Sequence, residues 1–222
     1  MGPDPDLALL EAWRGGDTQA ADQLLKKYYG LIRRAVMTKL PPDAVDDLVQ
    51  DVIAAMYERR DSFRSGALLK TYVLAIARNK VCDHYRRDER SPEERVEVFE
   101  SAVRDLSPGP TTLLVKHQDQ RLLLEALRSV HLDDQFILEL HYWEKMTGPE
   151  LAQVYEIGEP AVRSRLRRAK ARLEANLKEL HHDPGELAAT LTDLDAWAQR
   201  LRDELKPYLD QAKNKGHAPK KR

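Results

Sequence analysis

Cys82 is the single cysteine of the chain, which excludes an internal disulfide and any multi-cysteine zinc site. Aromatic residues are scarce as well, at 6%, whereas 33% of residues are charged. That balance points to helices around small cores. Net charge is missing too: 36 basic residues face 37 acidic ones, leaving −1 at pH 7. Any contact with nucleic acid must therefore come from a local patch. No apolar run reaches membrane-spanning length and no signal-peptide pattern appears, so a cytoplasmic protein without membrane contact is expected. A Gly-rich phosphate loop, an H-E-x-x-H and a nucleophile elbow are all lacking, which argues against an enzyme and implies no cofactor. No segment alternates as a strand, and 222 residues suit one large or two small domains. The expected fold is all-α.

What the chain does have is Glu159–Leu177, which reads EPAVRSRLRRAKARLEANL. From Arg163 to Arg172 six of ten residues are Arg or Lys, and none is acidic. Val162, Leu166, Ala169, Leu173 and Leu177 recur at spacings of four, three, four and four, one apolar stripe on a helix. Pro160 falls in the first turn, where its missing N–H costs nothing. Upstream, Thr147-Gly-Pro-Glu150 reads as a capping box opening a short helix through Tyr155, and Glu156–Glu159 reads as a tight turn. Short helix, turn and basic helix together make a helix-turn-helix, whose second helix enters the major groove of DNA. A solvated face is the plain alternative, but such faces normally mix charge signs for i,i+4 pairing.

From the start, Met1–Asp6 reads as loose and Leu7–Trp13 as a short helix ending at Gly15-Gly16. Asp17 caps a helix to about Leu40, with Ala21, Leu24, Leu25, Tyr28, Leu31, Ile32 and Val36 inward, and Pro41-Pro42 stops it. Asp43 can cap a third helix, Ala44–Arg60, whose inner face is Val45, Leu48, Val49, Val52, Ile53, Met56 and Tyr57. Asp46, Asp47, Gln50 and Asp51 lie on its exposed side, where they also suit the helix dipole. After a loop, Asp61–Gly66, a fourth helix runs from about Leu68 to Arg87. It buries Leu69, Tyr72, Val73, Ile76 and Ala77. Thr71, Arg78, Cys82 and Arg86 share another face with Asn79 beside them, one that can hold a nucleic-acid backbone or simply be solvated.

Ser91–Val115 carries five acids and two bases and contains Ser107-Pro-Gly-Pro110, a linker pattern with one fragile turn around Glu94–Val103. Val115–Val130 and Asp133–Trp143 read as helices leading into the helix-turn-helix. Beyond it, His181, His182 and Asp183 could in principle bind a metal, although adjacent His at a helix start are more often solvent-facing; no metal site is assigned. Asp183, Pro184 and Glu186 signal a helix start. Leu187, Leu191, Leu194, Ala198, Leu201, Leu205 and Tyr208 then follow at heptad spacing, a seam that needs a partner surface. Ala212–Arg222 is a basic tail of disordered composition. The expected organisation is 1–90, linker 91–114, 115–182, helical extension 183–212 and tail 213–222.

Two helical units joined by an acidic linker, the second ending in a helix-turn-helix, resemble the extracytoplasmic-function (ECF) sigma factors of bacterial RNA polymerase over Leu7–Leu180. Asp47-Leu-Val-Gln-Asp-Val52 looks like the region 2.2 motif. Phe63–Arg87, with Ile76-Ala-Arg-Asn79 and Asp83-His-Tyr-Arg-Arg87, looks like regions 2.3 and 2.4, and Asp133–Leu173 like region 4. Tyr72 stands where a Trp is usual, and Gly158-Glu-Pro-Ala161 replaces the common Ser-x-Gly-Thr before the recognition helix.

The resemblance implies a region 2 bundle and a region 4 helix-turn-helix. It implies docking on core RNA polymerase, at the β′ coiled coil and β flap, with Asp46, Asp47, Gln50 and Asp51 on the β′ side. Arg163, Ser164, Arg167 and Arg168 would meet −35 DNA bases and phosphates, with Arg165, Lys170 and Arg172 on the backbone. Phe63, Lys70, Thr71, Tyr72, Arg78, Asn79 and Arg86 would hold the melted −10 element. The acidic linker suits a path through the polymerase's basic nucleic-acid channel. An anti-sigma factor or a self-contact could engage the extension. A stand-alone helix-turn-helix regulator is the alternative, and it needs the Asp43–Arg87 likeness to be chance.

Overall fold

The computed structural model describes residues 4–63, 68–87 and 118–180, with residues 196, 199, 200 and 203 beyond. Among these, every regular element is helical. Helix α1 (Leu7–Arg14) ends at Gly15, and Gly16 takes a φ of 96°, a left-handed turn that suits glycine. Asp17 then starts α2 (Thr18–Met37), accepting from the Gln19 and Ala20 N–H groups at 2.8 and 3.1 Å. Helix α3 (Pro42–Arg59) begins with Pro42 in its first turn and no side-chain cap; Asp43 sits inside that turn rather than capping it. A 3₁₀ turn (Arg60–Ser62) leads towards α4 (Leu69–Arg87).

These four helices bury one another's apolar stripes: Leu24, Ile32 and Val36 of α2 join Val49 and Val52 of α3 and Val73, Ala77 and Val81 of α4. Two expectations fail here. Tyr57 is 55% exposed instead of inward, because α3 turns that edge outward, where the ring meets Trp13 at 5.7 Å and Arg60 at 4.9 Å. Asp4 and Asp6 are not loose. The buried Asp6 carboxylate accepts from Tyr28 at 2.6 Å, and Asp4 accepts from the Leu69 N–H at 2.5 Å, serving the start of α4. Burial and the Asp6 carboxylate together raise the Tyr28 hydroxyl well above its ordinary pKa.

The second unit comprises α5 (Gln118–Arg128), α6 (Leu132–Tyr142), α7 (Gly148–Tyr155) and α8 (Glu159–Leu180). Leu123, Leu124, Phe136, Ile137, Leu151, Val162, Ala169, Leu173 and Leu177 form its core. The α6 stripe is wider than an amphipathic pattern predicts, since Asp134, Gln135 and Glu139 are buried as well. The linker 91–114, His181-His182, the heptad helix and the basic tail lie outside the described residues, apart from the four isolated positions. No described helix is long and apolar enough to cross a membrane.

Candidate nucleic-acid interface

Helix α7 is fixed at its start by Glu150, whose carboxylate accepts from the Thr147 N–H at 2.7 Å and the Thr147 hydroxyl at 2.8 Å. It ends at Glu156, a non-glycine residue at φ 53°, which turns the chain sharply into α8. Pro160 follows in the first turn of α8. The helix-turn-helix read from the sequence is therefore present, with its second helix packed on α5, α6 and α7 through the stripe of Val162, Ala169, Leu173 and Leu177 and the half-buried Leu166.

Away from that stripe, Arg163, Ser164, Arg167 and Arg168 occupy one exposed arc, roughly 140° wide at 3.6 residues per turn. Arg163 is 68% exposed and lies 3.7 Å from Glu159; Arg167 and Arg168 pair with no acid among the described residues. The other basic residues divide differently from the expectation. Arg165 turns inward, 3.7 Å from Asp133 and 5.1 Å from the Tyr155 ring. Arg172 is bound by the buried Asp134 carboxylate, and Lys170 reaches Glu174 at 3.9 Å. Two of the six cations thus hold the domain together, and the outward arc carries Arg163, Arg167 and Arg168.

On α3, Asp46, Asp47, Gln50 and Asp51 are all exposed, with Asp46 3.1 Å from Arg33 of α2. They form an acidic surface backed by the buried Val45, Leu48, Val49 and Val52.

The −10 candidates are spread over two environments. Phe63 is buried edge-on against Tyr72 at 5.5 Å, and Asn79 is exposed. Arg86 lies in α4, but its side chain is outside the described residues. Lys70, Thr71 and Arg78 instead face the second unit. Lys70 donates to the Glu144 carbonyl at 2.9 Å, the buried Thr71 hydroxyl is 2.9 Å from Gln153, and Arg78 donates twice to Asp133 at 2.9 and 2.6 Å. Arg78 also lies over the Tyr155 ring at 4.6 Å, and Tyr155 donates to the Asp133 carbonyl at 3.0 Å. Burial, reinforced by Asp133, holds the Tyr155 hydroxyl far above its ordinary pKa. The face containing Thr71 and Cys82 is thus covered by α7, where the sequence left it open to solvent or nucleic acid.

Residues that the sequence did not single out complete this junction. Lys39, fully buried, is bound by Glu139 and donates to the Ala35 carbonyl at 2.8 Å. Thr38 donates to Glu139 at 2.9 Å, and Arg34 donates to Glu144 at 2.8 Å. A Lys just past a helix end carries no periodic signal, so nothing in the sequence marks Lys39 as buried.

Sigma-70 region 2 matches residues 24–91 and Sigma-70 region 4 matches residues 120–173, together more than half of the chain. The ECF RNA polymerase sigma-E factor of Escherichia coli K12 is 25% identical over 183 residues, covering 79% of this chain and 95% of that protein. The chain is an ECF sigma factor. The RNA polymerase sigma factor NccH of Alcaligenes xylosoxydans xylosoxydans is 27% identical over 179 residues, covering 79% of the chain and 96% of the relative. The fold is also that of CnrH in its complex with the cytosolic domain of CnrY, at TM-score 0.57 and 24% identity over 79% of this chain and 99% of that one. The sigma factor RpoE of Bartonella quintana, solved with the anti-sigma factor NepR, gives TM-score 0.52 and 24% identity, covering 70% and 93%. The region 2 match spans all of Asp43–Arg87, the likeness that the stand-alone regulator needed to be chance. This ECF sigma factor directs promoter-specific transcription initiation.

Proposed function

We propose that the factor acts in the cytoplasm by binding alone, with no covalent step, and that its two units meet different parts of one promoter. The observation that carries this reading is the exposed arc of Arg163, Ser164, Arg167 and Arg168, opposite a fully apolar stripe. Arginine in such an arc pairs bidentately with guanine in the major groove, which suits the −35 element. Lys170 adds backbone attraction without sequence preference. Arg165 and Arg172 serve mainly to orient the recognition helix, each through an acid of α6. In region 2, Phe63, Lys70, Thr71, Tyr72, Arg78, Asn79 and Arg86 hold the melted −10 strand once they are free to do so.

Core polymerase docks on the Asp46, Asp47, Gln50 and Asp51 surface through the β′ coiled coil and on region 4 through the β flap. The division into 1–90, 91–114, 115–182, 183–212 and 213–222 remains the working organisation. An anti-sigma factor is a further proposed partner, supported by the complex of the related-fold RpoE with NepR. Reversing the charge of Asp47 and Asp51 with Gln50→Ala is the direct test. Capture by core polymerase and promoter-specific run-off transcription should both be lost, with the helical circular-dichroism signal retained because these side chains are exposed. Normal capture of the triple variant would remove the docking role.

A further inference from the structure

The end of α3 and the start of α4 are both held by side chains from the first fourteen residues. Asp4 serves two helix starts with one carboxylate. One oxygen accepts from the Asp6 N–H at 2.9 Å, in the turn before α1, and the other from the Leu69 N–H at 2.5 Å, at the first residue of α4. Its charge also suits the positive end of the α4 dipole. Asp6 is fixed in turn by Lys27 and Tyr28 of α2, at 2.5 and 2.6 Å. Arg14, the last residue of α1, works at the other end. It donates from Nε and Nη2 to the Arg60 carbonyl at 3.0 and 2.6 Å, and from Nη2 to the Phe63 carbonyl at 2.7 Å. Glu11 holds its remaining nitrogen at 2.6 Å. Carbonyls past a helix end lack intrahelical donors, and a guanidinium fork can serve two of them at once.

Both anchors converge on Tyr72. Its hydroxyl donates to the Arg59 carbonyl at 3.3 Å, next to the carbonyl that Arg14 holds, and its ring meets Phe63 edge-on at 5.5 Å. It also stands within the first turn of α4, whose first residue Asp4 caps. We infer that Asp4 and Arg14 are positioning residues for −10 recognition, a bracket from the start of the chain that sets where the Tyr72 ring meets an unstacked base. The inference rests on the assignment of Phe63 and Tyr72 to the −10 element. Apolar stripes already hold α2, α3 and α4 together through Val49, Val52, Val73 and Ala77, and neither Asp4 nor Arg14 belongs to that core. Their bonds act at the helix ends, where they orient the backbone behind Tyr72. A stacking contact depends on that orientation, because a ring can meet a base only from a fixed place.

The test uses the full chain assembled with core RNA polymerase and a template library randomised at both promoter elements. Sequencing the templates retained in heparin-resistant open complexes reads the −10 and −35 preferences separately. Arg14→Ala and Asp4→Ala, each made alone, should flatten the −10 preference roughly tenfold, the order of one lost base-stacking contact, and leave the −35 preference unchanged. Ile32→Val, a cavity-forming change in the buried core of α2, is the control for stability. It should lower the melting temperature and keep both preferences. Tyr72→Ala should flatten the −10 preference too, and adding Arg14→Ala to it should cost little more. A −10 preference retained by Arg14→Ala or by Asp4→Ala, with loss in Tyr72→Ala, overturns the bracket and leaves Tyr72 as a reader. Flattening by Ile32→Val, or equal loss at both elements, overturns it by making the effect one of stability. A −10 preference retained by Tyr72→Ala overturns the assignment of Tyr72 to DNA, and the bracket with it.

Discussion

At the scale of single residues, the arginines of α8 divide by direction. Arg167 and Arg168 point outward without an acidic partner among the described residues, whereas Arg165 and Arg172 are bound to acids of α6. Arg167→Ala or Arg168→Ala should therefore relax base preference within the −35 element, each lost bidentate contact costing about 1–3 kcal/mol of discrimination. Lys170→Ala should weaken all sequences alike. Selection of binding sites from a randomised −35 region measures both, and an unchanged consensus for the two Arg variants would assign base reading elsewhere. Lys39 and Glu139 give a second contrast. Burial pushes the Lys39 ammonium down and the Glu139 carboxyl up from their ordinary pKa values, and each is countered by the other's charge. Glu139→Gln alone strands a buried ammonium and should cost about 3–5 kcal/mol in urea unfolding. Lys39→Met with Glu139→Leu removes both charges and should return stability to near the starting value. A double variant as unstable as the single one would show that the pair, and not the stranded charge, supplies the stability.

At the scale of elements, the helix-turn-helix depends on a start and a turn that are both visible in the sequence. Thr147 and Glu150 close the start of α7 through two hydrogen bonds to one carboxylate. Glu150→Ala frees the Thr147 N–H and should cost about 1 kcal/mol, a loss typical of a cap. The consequence is a lower melting temperature together with weaker −35 binding, since α7 sets the angle of α8. Unchanged melting would mean that packing of Leu151 and Val154 alone positions the helix. Helices α2 and α4 show where element-level reading stops. Their apolar stripes identify the faces that meet inside region 2. They carry no sign that Thr71 and Cys82, on another face of α4, are buried too.

At the scale of the whole molecule, the heptad seam from Leu187 to Tyr208 lies outside the described residues, so its destination is argued from sequence. Each Leu gains about 1.5–3 kcal/mol on burial, which keeps such a seam from staying in water. If the segment restrains the two units, deleting Asp183–Arg222 should leave a soluble, folded protein with equal or higher promoter-specific transcription. Loss of solubility or of all activity on truncation would make the segment a structural or activating part. Run-off transcription and circular dichroism of the truncated chain decide between them.

The sequence by itself determined the helical elements, the helix-turn-helix, the acidic α3 surface and the family, because each rests on residues close together in the chain. A stripe at helical spacing, a capping box and a Pro in a first turn act within a few residues and need no knowledge of what lies across the core. Only the tertiary structure decided which cations face outward. Arg165 and Arg167 sit two positions apart in one run, yet one meets Asp133 and the other meets no acid among the described residues. Only the tertiary structure, too, brought Lys39 to Glu139 and Arg78 to Asp133, across separations of 100 and 55 residues. Such pairs form because two packed surfaces oppose charges of unlike sign, and the partner of a charge across an interface leaves no periodic mark in the sequence.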